Sequence, residues 1–157
     1  MIEAAEELLE DAIAMIRPGR PWSEIAAAMQ GRAISGGYGL VVDYMGHGIG
    51  RDLHEPPEAP NTTSRRLCEH DNFTLLPGMV LAIEPMLVLG AGGGDLDADG
   101  HPAGVHTITR PDGWTVATAS GRPTCHIEHT VAVTRTGARV LTGPVRPSVR
   151  EEAASIH

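Results

Sequence analysis

The stretch of sequence that decides the fold spans residues 46–57 and reads Gly-His-Gly-Ile-Gly-Arg-Asp-Leu-His-Glu-Pro-Pro. Two histidines, His47 and His54, stand seven positions apart among glycines that give way to prolines. Because glycine lets main chain approach a ligand or metal where a side chain would collide, the pattern indicates backbone held close to another group. The alternative is a tight turn that carries two solvated histidines.

Two further segments each place a carboxylate in a predicted strand. Residues 77–86 form an apolar run that reaches Glu84, and residues 127–130 carry Glu128. A buried carboxylate is costly unless it meets a cation or good hydrogen-bond donors. Together with His47, these residues offer nitrogen and oxygen donors, which predicts a divalent-metal site built from His47, Glu84 and Glu128.

Composition limits the class of protein and the kinds of partner. The chain has 157 residues, of which 41% are hydrophobic, and this is enough for one globular domain with a sizeable core. The net charge of -8 and the pI near 5.4 argue against nucleic acid or an anionic membrane surface as a partner. Since no signal peptide and no membrane-spanning run is recognisable, we expect a soluble cytoplasmic protein.

Two other groups of residues are of types that can form sites. Cys68 and Cys125 are far apart and form no Cys-x-x-Cys pair, so reduced thiols are expected. The acidic segment 95–100 is similar to the start of a calcium-binding EF-hand loop. Its twelfth position is His106 rather than glutamate, and no helices are predicted beside it. The interpretation is a mobile acidic loop.

Hydrophobic periodicity predicts two helices followed by a sheet. The first helix runs from Ile2 to Ile16 with one apolar face, and the second is capped by Ser23 and ends before Gly36. Strands are predicted over residues 38–44, 79–84, 113–118, 124–134 and 139–142. Residues 145–157 form a polar tail, so we expect one domain over residues 1–144.

The strand predicted over residues 124–134 has a clear two-residue alternation. Ile127, Val131 and Val133 face one way. His126, Glu128 and Thr130 face the other, because successive side chains of a strand point to opposite sides. His126 therefore shares a face with Glu128.

Taken in order, these segments resemble the carboxyl-terminal half of a type I methionine aminopeptidase. The resemblance runs from the first helix to about Thr142. It rests on residues 46–57, residues 77–86, Asp112-Gly113-Trp114-Thr115 and Glu128-His129-Thr130. It implies an α+β protein with half of a pita-bread fold, in which two helices pack on one face of a curved antiparallel sheet.

The resemblance also implies a metal centre. In that family two metal ions are held by two aspartates, one histidine and two glutamates, and His47, Glu84 and Glu128 match the last three. Glu128 would bridge the ions. The two aspartates belong to the amino-terminal half of the family's domain, which we expect to be missing here. The expectation is therefore one divalent ion or none, drawn from Co, Mn, Fe and Zn.

The reaction that the resemblance implies is removal of the amino-terminal methionine from nascent proteins by metal-dependent hydrolysis. His54 would donate a hydrogen bond to the carbonyl oxygen and stabilise its developing charge. Trp114 and Leu53 would border the methionine pocket, although core packing explains Trp114 equally well. His126 is either a further metal ligand or a histidine behind the ligands.

Two other functions stay open at this point. One is a non-catalytic remnant that binds a metal or a peptide. The other is a hydrolase similar to prolidase or aminopeptidase P. In every case the expected partners are amino termini of peptides or nascent proteins, and a missing amino-terminal half or a second copy of the chain. We expect the isolated chain to be a poor aminopeptidase.

Overall fold

The computed structural model describes residues 1–90 and 104–143, so the acidic segment 95–100 and the tail 145–157 lie outside the described residues. Helices α1, Ile2–Met15, and α2, Trp22–Ser35, open the chain. A π-helical turn, Leu67–Asp71, follows the third strand. The strands are β1 Tyr38–Leu40, β2 Gly46–Gly48, β3 Glu55–Ala59, β4 Val80–Ile83, β5 Met86–Leu89, β6 Thr107–Thr109, β7 Val116–Thr118, β8 Thr124–His126, β9 His129–Val133 and β10 Ala138–Val140.

The first helix forms as its periodicity predicts. Its buried residues are Ala5, Leu8, Leu9 and Ala12, which lie on one face at helical spacing. Gly19, with φ of 85°, turns the chain toward α2 in a conformation that glycine adopts without a steric cost. Within the described ranges, no helix combines the length and the apolar character that crossing a membrane requires.

The start of α2 differs from the prediction. Helix α2 follows Pro21, and Ser23 lies inside its first turn rather than at the capping position. The capping group comes from a distant residue: Asn72 Oδ1 accepts a hydrogen bond from the backbone N–H of Ser23 at 3.0 Å. The Asn72 amide in turn donates to Ser23 Oγ at 2.9 Å. A partner 49 positions away leaves no local sequence signal.

Within residues 1–90 and 104–143, the strands form two larger antiparallel sheets and one hairpin. The five-stranded sheet has the order β10-β9-β4-β2-β3, the three-stranded sheet has the order β1-β5-β8, and β6 pairs with β7. All five predicted strands are shorter than expected, and the strand over residues 113–118 begins only at Val116. The strand over residues 38–44 ends at Leu40, and the strand over residues 124–134 is interrupted at Ile127 and Glu128.

The two larger sheets are connected by an uninterrupted pairing register. Ile83 pairs with His129 in the five-stranded sheet, and Met86 pairs with His126 in the three-stranded sheet. In an antiparallel pairing without a shift, the residue numbers of every pair have the same sum, and these two pairs do. The register is therefore unchanged across the unpaired residues 84–85 and 127–128. Glu84 therefore lies opposite Glu128, at the point where each of these two segments leaves one sheet and enters the other.

The predicted alternation survives this interruption. Side chains alternate between two sides along β4 and β5, along β8 and β9, and through the residues that join each pair of strands. One set packs toward the helices, and the other set faces away from them. The core-facing set is Leu81, Ile83, Leu87, Cys125, Ile127, Val131 and Val133. The opposite side carries Glu84, Met86, Thr124 and His126, which line a cavity. Both cysteines are free, as predicted.

Candidate metal centre

The two carboxylates are brought together by the register described above. Antiparallel positions that lie opposite each other hold their side chains on the same side of the sheet. Two carboxylate charges about 4 to 5 Å apart repel by roughly 1–4 kcal/mol, depending on the effective dielectric constant. Opposed glutamates are therefore unfavourable unless a cation lies between them or beside them.

The two glutamates differ in burial. The Glu84 side chain is nearly buried, at 12% exposed, whereas Glu128 is exposed. The expectation of two buried carboxylates thus holds for Glu84 alone. Its neighbour Asn61 is buried and donates from its amide to the Glu84 backbone oxygen at 2.9 Å. This bond fixes the chain where it crosses between the sheets. Sequence reasoning missed Asn61, because its partner is 23 positions away.

His47 is positioned by the glycines on either side of it. Strand β2 lies between β3 and β4, and a Cβ at Gly46 would collide with the Ala82 backbone oxygen. A Cβ at Gly48 would lie 2.5 Å from the Pro56 backbone oxygen. The backbone at these glycines does approach another group closely, as predicted, and that group is the backbone of the neighbouring strands. It is the packing of backbone on backbone that holds His47 in place.

The contacts of the His47 ring suit a metal ligand. Its Nδ1 lies 2.9 Å from the Gly48 backbone oxygen, where an N–H donates and leaves the other nitrogen as an acceptor. That other nitrogen, Nε2, lies 3.3 Å from Glu84 Oε1. Ligand histidines commonly donate their second N–H to a carbonyl in this way. The structure therefore brings His47 and Glu84 together, as predicted.

His126 lies on the other side of the same carboxylate. Its Nε2 is 3.2 Å from Glu84 Oε2. This contact with Glu84 raises the pKa of His126, and partial burial opposes the rise without cancelling it. Glu84, His126 and Glu128 can place one ligand atom each within 4.8 Å of one another. Among the described residues, this set contains His126 where the sequence led us to expect His47.

A short loop places His54 beside the candidate metal centre. The Glu55 carboxylate accepts hydrogen bonds from the backbone N–H groups of Arg51 at 3.1 Å and Asp52 at 3.4 Å, which closes the loop. The ring of His54 lies against that of His47, with 4.1 Å between the centroids and a tilt of 44°. His54 forms neither a hydrogen bond nor an ion pair with Glu84, so it lies beside the donor set.

A cavity of about 400 Å³ opens at these residues. This volume falls within the usual range for small-molecule sites. His47, His54, Glu84 and His126 line it, and most of its other lining residues are apolar. The apolar wall residues include Val41, Tyr44, Met45, Met86, Val116 and Ala117. An extended group with an apolar side chain can therefore enter beside the donor atoms.

The structure does not bring Trp114 or Leu53 into the cavity wall. Trp114 is 88% exposed and Leu53 is 70% exposed. Core packing is thus wrong as an explanation of Trp114. The roles of Trp114 and Leu53 in substrate binding stay predictions. The sequence did not indicate that Val41, Tyr44 and Met45 line the cavity. These three follow the short strand β1 and had no motif to mark them.

A second polar cluster fixes one edge of the cavity. Asp43 accepts hydrogen bonds from the Thr107 backbone N–H at 2.6 Å and from the Thr107 hydroxyl at 2.9 Å. His106 Nδ1 lies 2.8 Å from the same carboxylate. Partial burial raises the pKa of Asp43, but these donors together outweigh it and leave the pKa lowered. Asp43 thereby holds Thr107 at the cavity wall.

Comparison with known proteins provides independent findings. The family model for metallopeptidase family M24 matches residues 1–135. The methionine aminopeptidase of Treponema pallidum is 38% identical over 144 residues, which cover 92% of this chain and 50% of that protein. The crystal structure of methionine aminopeptidase from Thermotoga maritima superposes with a TM-score of 0.75 at 35% identity, covering 90% of this chain and 50% of the other.

A prolidase from Pyrococcus furiosus is a more distant match, with a TM-score of 0.57 and 26% identity over 92% of this chain and 32% of its own. The predicted α+β class with the pita-bread architecture is confirmed by these structural matches. The chain spans about half the length of the methionine aminopeptidases described above.

Proposed function

We propose, from the premise that this chain belongs to metallopeptidase family M24, that it takes part in metal-dependent removal of an amino-terminal methionine from peptides. One observation supports this proposal above the others. Glu84 lies opposite Glu128 with imidazole nitrogens at both of its oxygens, at the edge of a largely apolar cavity. Such a donor set beside such a cavity suits a hydrolase that holds a divalent ion and an apolar side chain.

The residues that would hold the ion are His47, Glu84 and Glu128. Their nitrogen and oxygen donors fit Co, Mn, Fe or Zn and do not discriminate among them. Two ligands each about 2.1 Å from one tetrahedral ion lie about 3.4 Å apart. The 3.3 Å between His47 Nε2 and Glu84 Oε1 fits that arrangement. A bound ion would supply Lewis-acid chemistry, polarising the scissile carbonyl and lowering the pKa of a water molecule.

His54 would act on the substrate rather than on the ion. Its ring lies against His47 and at the cavity wall, so a carbonyl held near the donor set is within its reach. An N–H of His54 would donate to that carbonyl oxygen and stabilise negative charge as it develops. The apolar walls would hold the methionine side chain and exclude water from it.

The test is an assay of methionine release from Met-Gly peptides with metal added. It is run on this chain alone and on the chain mixed with a separate segment that carries the two aspartates implied by the resemblance. Because three of the family's five ligands are present here, we expect turnover mainly in the mixture. A control is Glu6→Gln, which removes an exposed carboxylate on helix α1 and should leave turnover unchanged.

The same assay, with Xaa-Pro dipeptides offered as a second substrate, separates the alternative functions. Cleavage of Xaa-Pro dipeptides without release of methionine would contradict the proposal and favour a prolidase-like enzyme. Metal binding without hydrolysis in either arm would favour a non-catalytic remnant. The proposed cytoplasmic location is tested by fractionating cells that express the tagged chain.

A further inference from the structure

We propose that His126 is a direct metal ligand in this chain, in a site that it forms with Glu84 and Glu128. This inference rests on the proposed metal dependence and changes its ligand set. The family resemblance carries His47, Glu84 and Glu128 into the site and has no role for a residue at position 126.

The first argument is the position of the side chain. His126 pairs with Met86, so Glu84 is its diagonal neighbour across the ladder, and Glu128 is two residues away on its own chain. Diagonal neighbours and residues two apart share one side of a sheet. His126 is thus brought to both glutamates by the backbone register, without an unusual bend of its side chain.

The second argument is the convergence of ligand atoms. Three ligand atoms, one each from Glu84, His126 and Glu128, lie within 4.8 Å of one another. The 3.2 Å between His126 Nε2 and Glu84 Oε2 is close to the separation of about 3.4 Å between two ligands of a tetrahedral ion.

The third argument is charge. Glu84 and Glu128 together carry two negative charges at opposed positions. A protonated His126 would balance one of them. A divalent ion bound by neutral His126 would balance both, and the half-exposed ring leaves an open path for the ion. The set His126, Glu84 and Glu128 thus has a histidine and two carboxylates, with further positions open to water, as three-ligand catalytic sites do.

The test follows the imidazole nitrogens of the full chain during a titration with Zn²⁺. Histidines labelled with nitrogen-15 are observed by NMR, and the His126 signals are assigned by their absence in His126→Gln. We expect Nε2 of His126 to leave the range of free imidazole and to take a metal-bound shift as Zn²⁺ is added. His126→Gln should weaken Zn²⁺ binding by more than about a hundredfold, because loss of a residue that only orients a ligand costs about 10- to 100-fold.

The matched control is His70→Gln, because His70 is also an exposed histidine near a glutamate, with 3.8 Å between its Nε2 and Glu69 Oε2. The affinity of the His70→Gln variant for Zn²⁺ should equal that of the parent chain. If Zn²⁺ binds while the His126 nitrogens keep their free shifts, the inference is overturned and the proposed function stands. Absence of Zn²⁺ binding also overturns it. Zn²⁺ bound through His126 without peptide hydrolysis in any arm leaves the inference intact and counts against the proposed function alone.

Discussion

The two tryptophans of this chain lie in opposite environments. Trp22, the first residue of α2, packs in the core and is fully buried; its ring stacks on Phe73 at 5.6 Å, and its indole N–H donates to the Pro60 backbone oxygen at 2.9 Å. Trp114, in the turn that leads to β7, is 88% exposed. Asp112 accepts hydrogen bonds from the backbone N–H groups of Trp114 and Thr115, which close this turn and leave the indole outside.

The comparison separates two kinds of surface. On the helix-covered face, apolar side chains meet α1 and α2 and form the core. On the opposite face, which carries the donor set and the cavity, the large apolar side chains of Tyr44 and Val116 line the cavity and stay exposed. Substitutions on the covered face should therefore change the free energy of unfolding, and substitutions on the open face should change chemistry.

The largest expected effect is on the open face. In Glu84→Gln combined with Glu128→Gln, metal binding and methionine release should both fall below detection, because both carboxylate ligands are lost. The metal-free variant should be at least as stable as the metal-free parent, since two opposed charges are removed. The measurements are metal content after chelation and reconstitution, and thermal unfolding with and without metal. Stoichiometric metal binding by the double variant would contradict the proposed site.

The second prediction compares the two tryptophans directly. Trp22→Ala should lower the free energy of unfolding by about 3–5 kcal/mol, because it removes a fully buried aromatic ring. Trp114→Ala should change it by less than about 0.5 kcal/mol, as exposed substitutions usually do. Urea unfolding of both variants measures the difference. Similar losses in the two variants would show that the open face is covered in solution.

The third prediction concerns His54, which lies against His47 but forms neither a hydrogen bond nor an ion pair with Glu84. In the active mixture, His54→Ala should lower turnover by about a hundredfold, equivalent to about 2.7 kcal/mol, through loss of a donor to the developing oxyanion. Its metal content should equal that of the parent. Elemental analysis beside the kinetic assay checks both statements, and a loss of metal would reassign His54 as a ligand.

The smallest expected effect concerns Asp43, which holds Thr107 at the edge of the cavity. The lowered pKa of Asp43 means that its stabilising contribution is present above the unfolded-state pKa of about 3.9 and is lost as pH falls through the folded-state value. Asp43→Asn should therefore cost less than about 1 kcal/mol at neutral pH, after screening by solvent. The difference from the parent should disappear in acid. Urea unfolding at several pH values measures it, and a difference that persists at low pH would contradict this assignment.

Much of the fold follows from local sequence pattern. The spacing of Leu8, Leu9 and Ala12 predicted α1, and the alternation of Ile127, Val131 and Val133 predicted which side of the sheet packs toward the core. These periods are set by backbone geometry within a few residues, so they can be recognised without knowledge of the rest of the molecule. For the same reason the strand prediction placed His126 and Glu128 on one side.

Other features were decided only by the tertiary structure. The sequence alone indicated that His47, Glu84 and Glu128 are donors, but the position of Glu84 opposite Glu128 depends on a register between strands far apart in the chain. The Asn72 cap of α2, the contact of His126 with Glu84 and the exposure of Trp114 likewise depend on which distant element lies alongside. Side-chain direction is a local property of the backbone, whereas the group that a side chain meets is determined by long-range pairing and packing.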